Sequence, residues 1–228
     1  MIANHKEFYT GVGMMAAFLV VLVLFFAPLY EGHNGFAYLD NLYNSISKGS
    51  ANYLGMVNNT ADGLKGTAFE VTLPADDASD AQVMTALLAS AGAAVTPAEG
   101  GLLVKGDLGG VLAAVAEDVD AMYHNHGDTF TERRGVEARL GLYTWWKLLN
   151  KTEKQLQKQK LFAAAKDVAS VVSRGVETAY NYYGVEPQSI MDRIGVVTFS
   201  LVFYVFYTLW YGFSILFMFE GWGLKLEH

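Results

Sequence analysis

The 228-residue chain is 52% hydrophobic and 14% aromatic, and it carries a net charge of −7. It contains no cysteine, which excludes disulfides, thiolate nucleophiles, iron–sulfur clusters, thiolate zinc sites and thioether-linked haem. Residues 31–193 contain 14 of the 16 Lys and Arg residues and 20 of the 23 Asp and Glu residues. The sequence therefore predicts a polar insert between two apolar ends.

Two segments lack Asp, Glu, Lys, Arg and His: residues 8–30 and residues 194–219. A helix needs about 20 apolar residues to cross the ~30 Å hydrocarbon core of a bilayer, so both segments are predicted transmembrane helices. The first is longer than the apolar core of a cleavable signal peptide and is expected to remain as a signal anchor. Because neither span contains an ionisable group at depth, a pump or a haem-bearing anchor is disfavoured.

Small residues cluster near the start of the first span, at Gly11, Gly13, Ala16 and Ala17. Such residues allow helix backbones to approach closely in lipid. The alternative is that glycine is simply common in transmembrane helices.

Two spans place the short tails, 1–7 and 220–228, on the same side of the membrane. Lys6 and Lys225 give a weak positive-inside signal. We therefore expect the tails in the cytoplasm and the insert outside it, with a bacterial inner membrane favoured. A two-span protein of net acidic charge is not expected to bind nucleic acid.

The first half of the insert predicts a juxtamembrane helix and linker, 31–66, followed by a small α+β domain, 67–128. Residues 68–73 alternate between apolar and polar, which indicates a strand, and further patterns predict a helix, two short strands and a second helix. The order β-α-β-β-α predicts two helices on one face of a three-stranded antiparallel sheet, a half-sized ferredoxin-like sandwich.

The second half, 129–193, is predicted as one long basic amphipathic helix that forms a stalk toward the membrane. Its apolar stripe comprises Leu140, Tyr143, Trp146, Leu149, Leu156, Phe162, Val168, Val172, Val176 and Tyr180. Residues 31–128 carry a charge of −10 and residues 129–193 a charge of +4. The two halves either face each other or form two solvated surfaces. The predicted fold class is thus an α+β membrane protein whose two transmembrane helices flank a ferredoxin-like domain and a helical stalk.

One cluster carries ligand chemistry: His124, His126 and Asp128, with His33 as a further candidate. A His-x-His spacing places both imidazoles on one side of an extended segment, and two histidines with a carboxylate can bind zinc or other metals. The alternative is a solvated loop whose polar residues end a helix. No phosphate loop, dinucleotide fingerprint or Gly-x-Ser-x-Gly motif is present in the sequence, and we predict no organic cofactor.

The leading functional hypothesis is a non-enzymatic scaffold or accessory subunit of a membrane assembly, formed with other membrane subunits or with copies of itself. The first alternative is a metal-binding extracytoplasmic domain built on the histidine cluster. The second is an oligomeric channel around the second span. The third rests on topology alone: the layout is similar to that of polysaccharide co-polymerases, although Pro187 does not match their proline-rich segment.

Overall fold

The computed structural model describes residues 2–29 and 32–224. In this part of the chain the fold is mostly helical, with a small three-stranded antiparallel sheet. The last residue of the predicted first span, Tyr30, and residues 225–228 of the predicted tail lie outside the described residues. The chain divides into two compact units: the helix-pair unit, Met1–Gly49 with Glu186–His228, and the sheet unit, Ser50–Val185.

The elements are numbered in chain order. The helices are α1 (His5–Phe26), α2 (Gly35–Ser50), α3 (Leu54–Gly63), α4 (Ala78–Ser90), α5 (Leu108–Tyr123), α6 (Gly127–Arg134), α7 (Ala138–Lys158), α8 (Phe162–Val171), α9 (Glu177–Tyr182) and α10 (Ile194–Trp222). The strands are β1 (Ala68–Leu73), β2 (Ala94–Ala98) and β3 (Gly101–Asp107). Two short turns accompany them, a π-helical turn at Val172–Val176 and a 3-10 turn at Met191–Arg193.

Two helices of the helix-pair unit, His5–Phe26 and Met191–Trp222, are long and apolar enough to cross a membrane. Helix α1 begins after Asn4, whose side chain accepts hydrogen bonds from first-turn backbone N–H groups, as N-cap residues do. Helix α10 ends at Gly223, whose φ of 92° lies in the left-handed region that favours glycine. The start of α1 and the end of α10 are therefore set by local capping.

Helices α1 and α10 run antiparallel and pack through aromatic rings and through two glycines, Gly11 of α1 and Gly221 of α10. Phe18 is 5% exposed and packs edge-on against the ring of Trp210. The indole N–H of Trp210 donates to the Met14 carbonyl at 3.1 Å. At Gly11 an added Cβ atom would lie 2.7 Å from the backbone nitrogen of Met218. A residue without a side chain is thus required for this approach of the two backbones.

In the sheet unit the strand order is β1-β3-β2, and both pairings are antiparallel. Alternate residues of β1, namely Phe69, Val71 and Leu73, are buried, as expected where one face of a sheet is covered. The other face carries an exposed cross-strand ion pair between Lys105 and Glu70, 3.0 Å apart. The predicted three-stranded antiparallel sheet is confirmed, with α4 and α5 in the predicted places along the chain.

The predicted long helix, 129–193, is divided into shorter helices. Helix α6 ends at Gly135, where φ is 67°, and the chain leaves α7 at Lys160, where φ is 66°. A right-handed helix does not continue through a positive φ, so the chain turns and α8 packs against α7. The structure therefore corrects the continuous stalk to a set of helices that share one apolar core with the sheet.

The predicted juxtamembrane helix is likewise interrupted. Helix α2 belongs to the helix-pair unit, whereas α3 belongs to the sheet unit and packs on α5. A new helix begins after Asn52, whose side-chain oxygen accepts from the N–H of Leu54 at 3.1 Å.

Helix α7 also lies along the outer strand of the sheet. The side-chain amides of Gln155 and Gln159 donate to the carbonyls of Thr72 (3.2 Å) and Glu70 (2.8 Å). Exposed strand edges invite pairing with other chains. Gln155, in the last turn of α7, and Gln159, directly after the helix, protect the β1 edge and fix the position of α7.

Candidate functional site

The predicted metal ligands lie at the junction of α5 and α6. His124 follows α5, and its Nδ1 lies 3.0 Å from the Asp120 carboxylate. The rings of His124 and His126 are stacked, with centroids 6.3 Å apart, and Asp128 lies in the first turn of α6. His33 belongs to the helix-pair unit, where it lines a polar cleft.

The same junction has a structural role. Asn125 adopts a φ of 62°, which Asn tolerates better than most residues. Its side chain donates to the Val185 carbonyl (3.1 Å) and accepts from the N–H of Gly184 (2.8 Å). These bonds tie the junction to the end of the sheet unit.

Within residues 2–29 and 32–224, no group of three or more His, Asp or Glu side chains is placed to hold a metal ion. The structure thus brings His124 and His126 together without supplying a third ligand from the described residues. A metal site at His124, His126, Asp128 and His33 stays a prediction that would require a ligand from a neighbouring chain.

A different cluster of the sheet unit is exposed and chemically distinctive. We call it the aromatic face: Tyr143, Trp146, Glu177, Tyr180 and Asn181. These residues line a cleft of about 270 Å³ between α7 and α9, together with a buried valine. Tyr143 is 46% exposed, Trp146 36% and Tyr180 38%. Aromatic residues are enriched at protein interfaces relative to the rest of the surface, so three of them around one concave surface form a candidate interaction site.

The geometry of the aromatic face is fixed by direct contacts. The rings of Tyr143 and Trp146 are nearly parallel, with centroids 5.8 Å apart and an interplanar angle of 14°. The indole N–H of Trp146 donates to the Glu177 carboxylate at 2.8 Å. The ammonium of Lys147 lies 5.8 Å from the Tyr143 ring centroid, within cation–π range. The face is therefore a preorganised aromatic surface with a carboxylate at its edge.

The π-helical turn contributes to this arrangement. It lies between α8 and α9, directly before Glu177. A π turn widens the helix locally and is frequent at functional sites. Gly175, within the turn, is buried near Val57 of α3, where an added Cβ would lie 3.1 Å from a valine methyl group. The π turn thus packs on the core while the residues after it face α7.

A buried polar network holds α7 from the opposite side. The Arg134 Nε lies 3.0 and 2.8 Å from the two Asp118 oxygens, and the Trp145 indole N–H donates to the same carboxylate at 2.8 Å. The remaining guanidinium nitrogens donate to Ser90 and to the Ala114 carbonyl. Burial raises the pKa of Asp118, and the charge of Arg134 opposes this rise. Trp145 and Trp146 are neighbours, so the network orients the helix that carries the aromatic face.

Some oppositely charged residues from the two halves of the insert pair with each other within the sheet unit. Lys147 lies 2.7 Å from the Asp76 carboxylate and 2.6 Å from Asp80, and Lys151 donates to the Pro74 carbonyl at 2.7 Å. Burial alone would lower the pKa of Lys147, but the two carboxylates outweigh it and raise the pKa. Hydrogen bonding and charge from the same lysines lower the pKa of Asp76. These pairs dock α7 against the start of α4.

Half of the predicted apolar stripe is buried and half is exposed. Leu149, Leu156 and Val168 lie in the core, whereas Tyr143 and Trp146 form the aromatic face. Periodicity placed all of them on one helical stripe. It could not separate the core-facing positions from the exposed ones, because that division depends on how α7, α8 and α9 fold back on the sheet.

The chain matches no protein-family model, and comparisons with curated proteins and with solved structures find no match. Its function is therefore argued from its own residues.

Proposed function

We propose that this chain is a non-enzymatic scaffold or accessory subunit of a larger membrane assembly. In this proposal α1 and α10 cross the cell membrane, a bacterial inner membrane being favoured, and the short tails lie in the cytoplasm. The sheet unit, which we take to be a ferredoxin-like half-sandwich, is extracytoplasmic and presents a docking surface. The two long apolar helices are the basis for the membrane location.

The observation that carries the proposal is the aromatic face. Trp and Tyr dominate the binding energy of protein interfaces, particularly where they line a pocket. Here a Trp, two Tyr and a carboxylate surround one cleft on a rigid helix–helix scaffold. The rings are partly solvent-exposed although the sheet unit has a well-packed core to bury others. A partner protein surface is the occupant that best accounts for this exposure.

The second apolar helix supports an assembly role within the bilayer. Phe199, Tyr204 and Phe206 of α10 are 68%, 67% and 69% exposed. Trp and Tyr concentrate at the two interfaces of a membrane span, but Tyr204 and Tyr211 lie in the middle third of α10. Neighbouring subunits, or copies of this chain, would bury these rings.

The test is the mass of the complex extracted gently from native membranes, with its subunits identified by mass spectrometry. Co-migrating subunits, or a defined oligomer of this chain, are the expected result. A chain that remains monomeric in mild detergent, with no associated protein, would overturn the proposal. Orientation is tested in parallel by a single cysteine at exposed Phe162, since the chain has no other cysteine to label. A membrane-impermeant maleimide should label it in intact spheroplasts.

Replacing both Tyr143 and Trp146 with alanine is expected to weaken assembly about 30-fold or more, because loss of interface hot spots costs about 2 kcal/mol or more. The measurement is the midpoint of dissociation of the native complex on dilution. Phe162→Ala is the matched control, since it removes a ring that is 64% exposed elsewhere on the sheet unit. Equal weakening by the control and the double variant would show that the aromatic face has no special role.

A further inference from the structure

The helix-pair unit contains an apolar cleft of about 420 Å³ between α1, α2 and α10. Its walls include Val21, Leu24 and Phe25 of α1, Leu39 of α2, and Val196 and Phe203 of α10. Helix α2 is held against α10 by a 2.6 Å hydrogen bond between Tyr43 and Ser200. The cleft is thus a defined feature of three packed helices.

The apolar cleft lies beside a polar one. Tyr38 lines both clefts, and Arg193 of the polar cleft precedes Val196 of the apolar cleft by about one helical turn. The polar cleft, about 240 Å³, also includes His33, Asn41, Gln188 and Arg193. The unit therefore offers an apolar surface and, next to it, a polar surface that includes a cation.

Arg193 is positioned at this end by a short relay of hydrogen bonds. The backbone N–H of Gln188 donates to the Ser45 carbonyl of α2 at 3.1 Å. The side-chain oxygen of Gln188 in turn accepts from Arg193 Nε at 2.8 Å. Among residues 2–29 and 32–224, no carboxylate forms an ion pair with the Arg193 guanidinium. Its two terminal nitrogens are therefore available to an anion, and a guanidinium matches the geometry of a phosphate.

The size of the apolar cleft argues against a protein helix as its occupant. A helix with its side chains is about 10 Å across and has a 5.4 Å pitch, so a single turn fills about 420 Å³. The cleft thus has room for about one helical turn, which is too short for a partner span. A flexible acyl chain follows a narrow apolar cleft without such a requirement.

We propose that this surface binds one anionic phospholipid, with an acyl chain in the apolar cleft and the headgroup phosphate on Arg193. The inference rests on the proposed membrane location of α1 and α10. It adds a specific lipid site to that proposal. A guanidinium beside apolar helices supplies what an anionic phospholipid requires, a cation for the phosphate and an apolar surface for the acyl chain.

The experiment uses the full chain, delipidated in mild detergent and then given equal amounts of phosphatidylglycerol and phosphatidylcholine. Native mass spectrometry counts the lipid retained by each chain. We expect one retained phosphatidylglycerol, favoured over phosphatidylcholine by about tenfold. Both lipids offer a phosphate to Arg193, but the choline ammonium of phosphatidylcholine brings a like charge close to the guanidinium. Arg193→Gln should abolish the preference, and Val196→Trp, which fills the cleft, should abolish retention of either lipid. Lys6→Gln removes an exposed cation near the other end of α1 and should change neither result.

Unchanged lipid preference in Arg193→Gln would overturn the inference, as would unchanged retention in Val196→Trp. Protection of the cleft by a second copy of the chain, without bound lipid, would also overturn it. Alkaline carbonate extraction of native membranes separates this outcome from failure of the proposed function. If the wild-type chain is washed from the membrane, the two-pass proposal fails and the lipid site with it. If the chain stays integral but retains no phosphatidylglycerol, only the lipid site fails.

Discussion

Replacing Arg134 with methionine is expected to lower the free energy of unfolding by about 3–5 kcal/mol at neutral pH, the usual cost of removing one partner of a buried ion pair. The Arg134 side chain is 3% exposed and the Asp118 side chain fully buried. Without Arg134, the Asp118 carboxylate keeps the Trp145 hydrogen bond but loses its buried counterion. The measurement is urea unfolding of the full chain in detergent micelles.

The loss of stability in Arg134→Met is expected to depend on pH. Burial raises the pKa of Asp118, and Arg134 now opposes that rise. In the variant the opposition is lost, so the folded-state pKa rises further above the unfolded value of about 3.9. A carboxyl group with a raised folded pKa contributes stability that is fully present below the unfolded pKa and is lost as the pH rises through the folded pKa. The difference from wild type is therefore expected to be smallest near pH 4 and to grow toward neutral pH.

Two further variants make this result specific. Arg133→Met removes a neighbouring, partly exposed arginine that lies 3.5 Å from Glu117 and Asp118, and it should cost at most about 1 kcal/mol. Adding Asp118→Asn to Arg134→Met removes the orphaned charge and should flatten the pH dependence. A deficit that is the same at all pH values, and is unaffected by Asp118→Asn, would show that Arg134 acts only by filling space.

The network itself could not be predicted from the sequence. Asp118, Arg134 and Trp145 lie on three different helices, and no sequence motif distinguishes any of them from other charged or aromatic residues. Ser90, which completes the arginine's hydrogen bonds, is 44 positions away from it. Local periodicity carries no information about such pairings, because they are created by the packing of α4, α5, α6 and α7.

Local sequence patterns predict the elements whose structure depends on neighbouring residues in the chain. The apolar runs at the two ends are long helices, and the alternation at residues 68–73 is a strand. The three-stranded antiparallel sheet follows from short strands separated by turn residues. The prediction of a continuous helix over 129–193 was wrong at the positions where single residues adopt left-handed φ values. One of these is Lys160, and lysine is not a residue type that indicates a turn.

The candidate site was only partly visible for the same reason. The apolar stripe contained Tyr143, Trp146 and Tyr180. The hydrogen-bond acceptor of Trp146, Glu177, lies 31 positions further along the chain, after a reversal of the helix direction and a π turn. His124 and His126 could be singled out from the sequence as candidate metal ligands because of their residue type. The aromatic face had no motif to mark it, and its exposure depends on the tertiary fold.

Replacing Gly11 with leucine is expected to separate α1 from α10, whereas the same change at Gly13 should have little effect. An added Cβ at Gly11 would lie 2.7 Å from the Met218 nitrogen and 2.8 Å from the Ser214 carbonyl oxygen. Both neighbours are backbone atoms, which cannot move without shifting the helix. At Gly13, apart from the neighbouring residues and backbone of α1 itself, no heavy atom of the described chain lies within 4 Å of the added Cβ.

The loss of free energy of unfolding in Gly11→Leu should exceed the roughly 1–3 kcal/mol that is typical of overpacking in a core, because a whole helix must shift. Association of helices in lipid depends on close van der Waals packing, since lipid tails are as apolar as the side chains. A displaced α1 would also lose the hydrogen bond from Trp210 to the Met14 carbonyl. The measurement is a titration from mild detergent into dodecyl sulfate, followed by near-ultraviolet circular dichroism of the rings around Phe18.

The pair of glycines distinguishes a packing role from a general property of apolar helices. Both variants add the same side chain two positions apart, so helix propensity and hydrophobicity change equally. A midpoint lowered in Gly11→Leu and unchanged in Gly13→Leu would show that one face of α1 requires glycine. Equal shifts in both would mean that glycine is present only because transmembrane helices tolerate it, and the contact of α1 with α10 through Gly11 would have to be abandoned.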